Sequence, residues 1–205
     1  MFGAPMKPLS LSLALAVSLA LVSCTAEASN EPDPVDDPPP EEQLVEAIRN
    51  NDATRIEALV DAGLDVNERL EPLGLSPIAV IAASGNYELI DVVVAAGFDL
   101  EAQSRGSGRT ALHVAAESGD LELISALVEN GADLERGDET RQTTAVQYAF
   151  YTGRIDAARL LISLGADLHY VDTAGRNTAD MAIKGGYSEA IALAEELGLT
   201  PNSTE

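Results

Sequence analysis

The sequence predicts an all-α solenoid of about five stacked helix-turn-helix units joined by polar loops. Two sets of glycines recur at intervals of 33 or 34 residues: Gly63, Gly97, Gly131, Gly165 and Gly198 in one, and Gly85, Gly119, Gly153 and Gly186 in the other. Four glycines of the first set open similar words, such as Gly-Ala-Asp-Leu. A fixed period in this range is typical of stacked units that cannot bury their apolar faces alone. The pattern therefore predicts a binding surface rather than a catalytic cavity.

One period, from Gly108 to Gly131, shows the layout of a unit. Its first half spaces apolar residues for one face of a short helix: Leu112, Ala115 and Ala116. Its second half predicts another amphipathic helix through a stripe of apolar residues: Leu123, Ile124, Leu127 and Val128. Gly119 and Gly131 follow the two helices, where glycine adopts the left-handed C-cap conformation without a Cβ penalty. Each unit is therefore predicted to be helix, tight turn, helix and polar loop.

The first helix of this unit begins with a word that resembles a family motif. Thr110-Ala-Leu-His-Val-Ala-Ala is close to the Thr-Pro-Leu-His-x-Ala word of the ankyrin repeat family. Related words begin at Ser76, Thr144 and Asn177, in register with the glycines. The resemblance implies an ankyrin-repeat solenoid in residues 43–205, with units at about 43–70, 71–104, 105–138, 139–172 and 173–205. The first unit lacks the word and the last is more polar, so both are predicted to be caps that keep the ends soluble.

The N-terminus carries a second signal, in residues 1–23. The stretch Leu9–Val22 is uncharged and rich in Leu, Ala and Val. It is shorter than the ~20 residues of a membrane span, but it has the length of the apolar region of a secretory signal. It ends in Leu-Val-Ser-Cys24, which resembles the lipobox of bacterial lipoproteins, so lipidation of Cys24 is predicted. The alternative is an ordinary signal peptide that is cleaved near Ala26 or Ala28.

Residues 24–42 are predicted to be the lipidated cysteine and an acidic, proline-rich tether. Between Thr25 and Glu42 the chain has five prolines, seven acidic residues and no basic residue. Such a segment buries too little apolar surface to fold and extends by ~3.1 Å per residue. Thr25 is not the aspartate that typically retains similar lipoproteins at the inner membrane. The predicted location is therefore the outer membrane, facing the periplasm, with a secreted or soluble periplasmic protein as the alternative.

The charge balance restricts the partners. The chain has 34 acidic and 12 basic residues, and residues 43–205 hold 27 and 11 of them, for a formal charge of −16. Nucleic acid is excluded as a predicted partner because neutralising phosphates requires clustered lysine and arginine. Docking on anionic lipid is disfavoured for the same reason. A cationic partner would be attracted, although an acidic surface that serves only solubility is the alternative.

The sequence carries no motif for catalysis or for a cofactor. Cys24 is the only cysteine, so neither a Cys/His zinc cluster nor an intramolecular disulfide is expected. No phosphate-binding loop, dinucleotide fingerprint or nucleophile elbow occurs, and no loop has the alternating acids of a calcium site. His113 occupies the histidine position of the family motif, which implies a structural role between loop and helix. We therefore predict no enzyme, no cofactor and no metal.

The candidate binding residues lie on the side that the resemblance makes concave, where loops and first helices meet. Tyr151 is the leading candidate, because tyrosine and arginine are enriched at binding hot spots. The other candidates are Arg105, Arg109, Glu117, Arg141 and Arg176. The arginines either bind carboxylates of a partner or pair with acids in neighbouring loops, and the sequence leaves both open. Tyr148 and Phe150 are expected to fill the core between units.

These observations predict a lipid-anchored periplasmic module that binds a protein partner and is monomeric when unbound. Through its concave face it would hold or modulate an envelope or secreted protein. One alternative is an immunity or protector protein for a specific toxin or enzyme, which the acidic surface would suit if that partner were basic. The other alternative is a structural scaffold without a single client. Nothing in the residues identifies the client.

Overall fold

A computed structural model describes residues 37–72 and 74–202. The predicted signal peptide, Cys24 and most of the predicted tether lie outside the described residues. The compact unit Pro40–Glu205 contains all the helices of the described part of the chain. These are α1 Pro40–Arg49, α2 Ala53–Asp61, α3 Pro77–Ser84, α4 Ile90–Ala95, α5 Ala111–Ser118, α6 Leu121–Glu129, α7 Ala145–Thr152, α8 Ile155–Ser163, α9 Thr178–Gly185 and α10 Ser188–Glu196. A 3₁₀ helix, Tyr87–Leu89, leads directly into α4.

The helices form five consecutive pairs, each a helix-turn-helix repeat. The first helices α1, α3, α5, α7 and α9 pack against one another in order, and the second helices form a parallel row beside them. This arrangement confirms the predicted all-α repeat solenoid. Helix α1 begins at Pro40, three residues before the predicted start of the repeat domain at 43. Proline is well tolerated at this point because the first turn of a helix has no use for its missing N–H.

The first helices begin and end at equivalent positions of the period. Helices α3, α5, α7 and α9 have N-cap residues Ser76, Thr110, Thr144 and Asn177, which are the starts of the four related words. Each of the four ends at a glycine with positive φ: Gly85, Gly119, Gly153 and Gly186. The glycine period therefore marks the ends of the first helices, as the sequence predicts.

The second helix of repeat 2 departs from the others. The equivalent helix of repeat 3, α6, has Asp120 as its N-cap residue, and the Asp120 side chain accepts a hydrogen bond from the Leu123 N–H at 3.0 Å. In repeat 2 the equivalent residue, Asn86, makes no such cap, and its side chain donates instead to the Ile48 carbonyl. The segment starts as a 3₁₀ turn and then continues through a run of β-branched valines, which have lower helix propensity.

A single apolar core runs through all five repeats, from Leu44 to Ala194. Phe150 on α7 is fully buried, as expected of a core residue between units, whereas Tyr148 is only half-buried. Five repeats exceed the three or so that a solenoid needs for stability, and the core lies wholly within the compact unit. We therefore expect residues 40–205 to fold on their own. In the part of the chain that the structure describes, none of the helices has the length and hydrophobicity to span a bilayer.

Short hairpins close the loops between repeats. Their backbone pairs are Leu70 with Leu75, Ser104 with Arg109, Asp138 with Thr143, and Asp172 with Arg176. The last hairpin is one residue shorter, which explains why the final period is 33 rather than 34 residues. One backbone hydrogen bond joins each hairpin to the next, from Arg105 N to Gly74 O, Glu139 N to Gly108 O and Thr173 N to Arg141 O, at 2.7, 3.1 and 2.8 Å. The hairpins therefore form a continuous row beside the first helices.

Candidate protein-binding face

The first helices and the hairpins share one face of the repeat unit, which we call the inner face. One position near the end of each first helix recurs on it: Ala83 on α3, Glu117 on α5, Tyr151 on α7 and Lys184 on α9. The hairpins contribute the predicted arginines to the same side. The inner face therefore changes from small and apolar in repeat 2 to acidic, aromatic and then basic along the stack.

Arg109 and Glu117 form an ion pair within repeat 3. The Nη1 of Arg109 contacts the Oε2 of Glu117, and both side chains are partly exposed. The same guanidinium lies 4.8 Å from the centroid of the Tyr148 ring, a cation–π contact that connects repeats 3 and 4. Two of the predicted candidates are thus brought together, with charges that neutralise each other.

Tyr148 and the buried carboxylate of Asp138 continue this network. The Tyr148 hydroxyl donates to Asp138 Oδ2 at 2.7 Å, while Oδ1 accepts from the backbone N–H groups of Thr140 and Arg141 at 3.0 and 2.6 Å. Burial raises the pKa of Asp138, but these hydrogen bonds outweigh it, so the net effect is a lowered pKa. Burial and the bond to Asp138 raise the pKa of Tyr148 to about 12. The carboxylate is therefore ionised and the phenol neutral at physiological pH.

His113 is fully buried beneath this network and connects a helix to a loop, as the family resemblance implies. Its Nδ1 accepts from the Thr110 N–H at 3.2 Å, and its Nε2 donates to the Thr143 carbonyl at 2.8 Å. Its ring also meets the Tyr148 ring edge-on, with centroids 5.5 Å apart. Burial lowers the pKa of His113 to about 4, so the imidazole is neutral. The residue ties the start of α5 to the next hairpin and is not available to a ligand.

Two further predicted arginines are also engaged within the chain. Arg105 forms a bidentate pair with Glu71 of the preceding hairpin, at 2.6 and 3.2 Å, and both side chains are 59 % exposed. Arg176 donates through Nε and Nη2 to Asp172 Oδ2, and its side chain is only 15 % exposed. Burial raises the pKa of Asp172. The hydrogen bonds and the charge of Arg176 lower this pKa by more than burial raises it, so the net shift is downward.

Arg141, Tyr151 and Lys184 form a different kind of group in repeats 4 and 5. All three are exposed, and the Lys184 ammonium lies 5.5 Å from the centroid of the Tyr151 ring. Burial lowers the pKa of Lys184, and the nearby positive charges of Arg176 and Arg141 lower it further, against the opposing charge of Asp172. Within the described residues, neither Arg141 nor Lys184 has a carboxylate at ion-pair distance. We call Arg141, Tyr151 and Lys184 the cationic cluster.

Sequence reasoning overlooked Lys184 and the binding potential of its contact with Tyr151. The signal was present, because Lys184 follows Tyr151 by 33 residues, the length of the last period. The basic candidates were chosen among the arginines of the loops, whereas Lys184 lies on the first helix α9. For the described part of the chain, no group of three or more His, Cys, Asp or Glu side chains is arranged to hold a metal ion.

Comparison with known proteins supports the assignment of the repeats. Residues 44–138 match a family model described as "Ankyrin repeats (3 copies)", and residues 146–194 match one described as "Ankyrin repeats (many copies)". No curated protein matches the chain. The two matched segments together cover well over half of the sequence and include helices of all five repeats. With its repeat period, helix pairs and hairpins, the chain belongs to the ankyrin repeat family.

Proposed function

We propose that the chain is a lipid-anchored module of the bacterial envelope that holds or modulates one client protein on its inner face. Ankyrin repeats generally mediate protein–protein interaction and are typically binding modules rather than enzymes. The period of the chain, its helix pairs and its matches to ankyrin models give this role its foundation.

The observation that carries the proposal is the cationic cluster. Arg105, Arg109 and Arg176 are already paired with carboxylates of the chain, whereas the charges of Arg141 and Lys184 remain available beside the exposed ring of Tyr151. Tyrosine and arginine are frequent hot-spot residues, because their large side chains combine apolar contact with hydrogen bonding. A client contact centred on Tyr151 therefore fits this part of the inner face.

The anchor is proposed from the sequence of the N-terminus. The lipobox-like word before Cys24 supports cleavage and lipidation at that residue, and the acidic stretch that follows supports a tether between lipid and repeats. With Thr25 after the cysteine, the proposed location is the outer membrane, facing the periplasm. Two other roles remain as outcomes of the test, namely an immunity or protector protein for a toxin or enzyme, and a scaffold with no single client.

The test is capture of a client from an envelope extract of the source organism, with residues 40–205 as bait. A Tyr151→Ala variant serves as the second bait. The matched control is Tyr87→Ala, which removes a similarly exposed tyrosine from repeat 2 (42 % exposed, against 37 % for Tyr151). Circular dichroism verifies that all three baits are folded.

One protein captured in near-equal amount by the wild-type and Tyr87→Ala baits, and lost with Tyr151→Ala, would support the client-binding function. The identity of that protein would separate a toxin or enzyme under protection from a structural partner. An identical list of proteins from all three baits would contradict the proposal and favour the scaffold.

The anchor has its own test in the full chain. Cells that express the wild-type protein with radiolabelled palmitate are expected to label it, and the labelled protein is expected to fractionate with outer membranes. A Cys24→Ser variant should lose the label. A labelled Cys24→Ser protein, or an unlabelled wild-type protein released to the soluble fraction, would favour the ordinary signal peptide.

A further inference from the structure

We infer that the cationic cluster recognises a short acidic segment of a client that is otherwise basic. This inference rests on the proposed client-binding function and adds the chemistry of the partner. It concerns carboxylates of a peptide chain, held by Arg141 and by Lys184, whose ammonium lies over the Tyr151 ring.

The cluster contains two positively charged side chains, Arg141 and Lys184, that have no ion-pair partner among the described residues. Some exposed arginines elsewhere in the described residues are matched with carboxylates, as in Arg105 with Glu71 and Arg159 with Glu196. Lys184 instead lies near Arg141 and Arg176, and like charges this close repel each other. A carboxylate bound near Arg141 and Lys184 would be attracted by both charges and would offset this repulsion.

Two acids of the neighbouring hairpins do not supply that carboxylate. Asp172 is 3 % exposed and accepts hydrogen bonds from Arg176 and from the Ala174 N–H. Asp138 is 1 % exposed and accepts from the backbone of the hairpin and from Tyr148. Because both carboxylates are buried and occupied by other donors, neither forms an ion pair with Arg141 or Lys184.

The geometry favours a peptide over a small anion. The cluster is an open surface with an aromatic ring at its centre, and Tyr151 offers apolar area to a neighbouring side chain of the ligand. Ile183, next to Lys184, is 53 % exposed and enlarges the apolar surface of the same helix. An acidic segment that contains an apolar residue matches both features.

The charge of the whole domain defines the rest of the partner. Residues 43–205 have a formal charge of −16, so a client that is acidic throughout would be repelled as it approached. A client with a basic surface is attracted, and its short acidic segment then meets the cationic cluster. This complementarity also favours one orientation, in which the acidic segment of the client meets the cluster and its basic surface meets the acidic remainder of the domain.

The test uses residues 40–205, labelled with ¹⁵N, and three probes at low salt. The first probe is a blocked pentapeptide of four glutamates around a central leucine. The second replaces the glutamates by glutamines, and the third is inorganic pyrophosphate. The test variant is Arg141→Gln with Lys184→Gln. The control is Arg55→Gln with Arg159→Gln, which removes the same charge from exposed positions on second helices.

We expect the glutamate peptide to shift the amide signals of Tyr151 and its neighbours, with at least tenfold weaker binding of the glutamine peptide. The shifts should disappear in the test variant and persist in the control. Equal binding of both peptides, or persistence of the shifts in the test variant, would overturn the inference. Tighter binding of pyrophosphate than of the glutamate peptide would also overturn it, by showing a general anion site. Client capture that depends on Tyr151, together with no peptide binding, would leave the proposed function standing and refute only the acidic segment.

Discussion

One position of helices α3, α5, α7 and α9 is occupied by four different residues, Ala79, His113, Gln147 and Asp180. The side chains of the last three tie their helix to a neighbouring segment. The tie from His113 is its bond to the Thr143 carbonyl. Gln147 donates to the Tyr170 carbonyl at 2.9 Å and to the Arg176 carbonyl, the equivalent of Thr143, at 3.4 Å. In the last repeat Asp180 accepts instead from the Asn202 N–H at 3.0 Å. The same structural task is therefore performed by a titratable ring in one repeat and by a neutral amide in the next.

His113→Gln should remove a pH dependence from folding while preserving the tie. Folding lowers the pKa of His113 from 6.5 to about 4, so the unfolded chain takes up a proton first on acidification. Its contribution is complete above pH 6.5 and declines as the pH falls toward 4. By linkage, the wild type should lose about 2 kcal/mol of unfolding free energy through this group between pH 7.5 and 5.0.

Urea unfolding at the two pH values measures this difference. The exposed His169→Gln is the control, and it should retain the wild-type change. An identical loss of stability in His113→Gln and in the wild type would show that acid sensitivity comes from other groups.

Two glutamates of the loops, Glu101 and Glu135, have carboxyl groups that lie against the next repeat, where burial and nearby aspartates disfavour their negative charge. Glu101 Oε1 accepts from the Asp133 N–H at 2.8 Å, and Glu135 Oε1 accepts from the Asp167 N–H at 2.7 Å. The second oxygen of each is buried and, among the described residues, has no hydrogen-bond partner. Burial raises the pKa of both carboxyls, and the nearby aspartates raise it further, although the backbone bonds oppose this. Folding therefore disfavours the ionised form of both carboxyls relative to the unfolded chain.

Glu101→Gln should therefore raise the urea midpoint at pH 7.5. The amide oxygen retains the bond to Asp133, while the buried charge and its repulsion from Asp99 and Asp133 are removed. Because the raised pKa makes the wild type relatively more stable as the pH falls through the carboxyl range, the advantage of the variant should shrink at pH 4.5. Glu122→Gln, which removes an exposed charge from α6, controls for net charge. An equal gain in both variants at both pH values would refute this account of Glu101.

At the scale of the helices, the last residue of α9 allows a close approach to the first helix of the preceding repeat. Helices α3, α5 and α7 end in Ser84, Ser118 and Thr152, whose hydroxyls bond back to their own helix. Helix α9 ends in Gly185, and a Cβ there would lie 2.2 Å from the Tyr151 carbonyl oxygen. This glycine therefore allows α9 to lie directly against the residue at the centre of the cationic cluster.

Gly185→Ala should destabilise the domain even though alanine favours helices. The gain in helix propensity is about 1 kcal/mol, whereas forcing backbone atoms apart in a packed contact costs about 1–3 kcal/mol. A contact of 2.2 Å with a carbonyl oxygen is not relieved by a side-chain rotation, so the steric cost should prevail.

The measurement is urea unfolding together with the amide signal of Tyr151, which should shift as the two helices separate. Ser118→Ala is the control at the equivalent position, and its effect should stay within about 0.5 kcal/mol. A stabilised Gly185→Ala protein with an unchanged Tyr151 signal would show that α9 is not held in close contact.

The period of the sequence was sufficient to predict the helix pairs and the glycines that end the first helices, because both follow from local patterns. The family motif correctly implied a structural role for His113. The prediction of a core position is confirmed for Phe150, whereas Tyr148 is only half-buried. Pairing on the inner face could not be predicted, since loop acids and arginines are close in sequence in every repeat. Which arginine meets which acid depends on the hairpins: Arg105 reaches back to Glu71, Arg176 is held by Asp172, and Arg141 is left beside Lys184.

At the scale of the whole domain, acidic charge opposes folding while isolated ion pairs support it only weakly. Exposed pairs such as Arg159 with Glu196 contribute about 0–1 kcal/mol each. Against them, a formal charge of −16 over residues 43–205 produces repulsion between all second-helix acids. Both effects are screened by salt, and the sign of the net salt effect reveals which one is larger.

We expect repulsion to prevail, so the urea midpoint of residues 40–205 should rise between 0.02 and 0.5 M NaCl, as the Debye length falls from more than 20 Å to about 4 Å. A variant that neutralises three exposed acids of the second helices, Glu57→Gln, Glu129→Gln and Glu195→Gln, should start from a higher midpoint and gain less from salt. Urea is the suitable denaturant because guanidinium would itself screen the charges. A midpoint that falls with salt in both proteins would mean that ion pairs such as Arg105 with Glu71 outweigh the repulsion. In that case the acidic surface would carry no folding cost, and its charge would be free to serve attraction of a basic client.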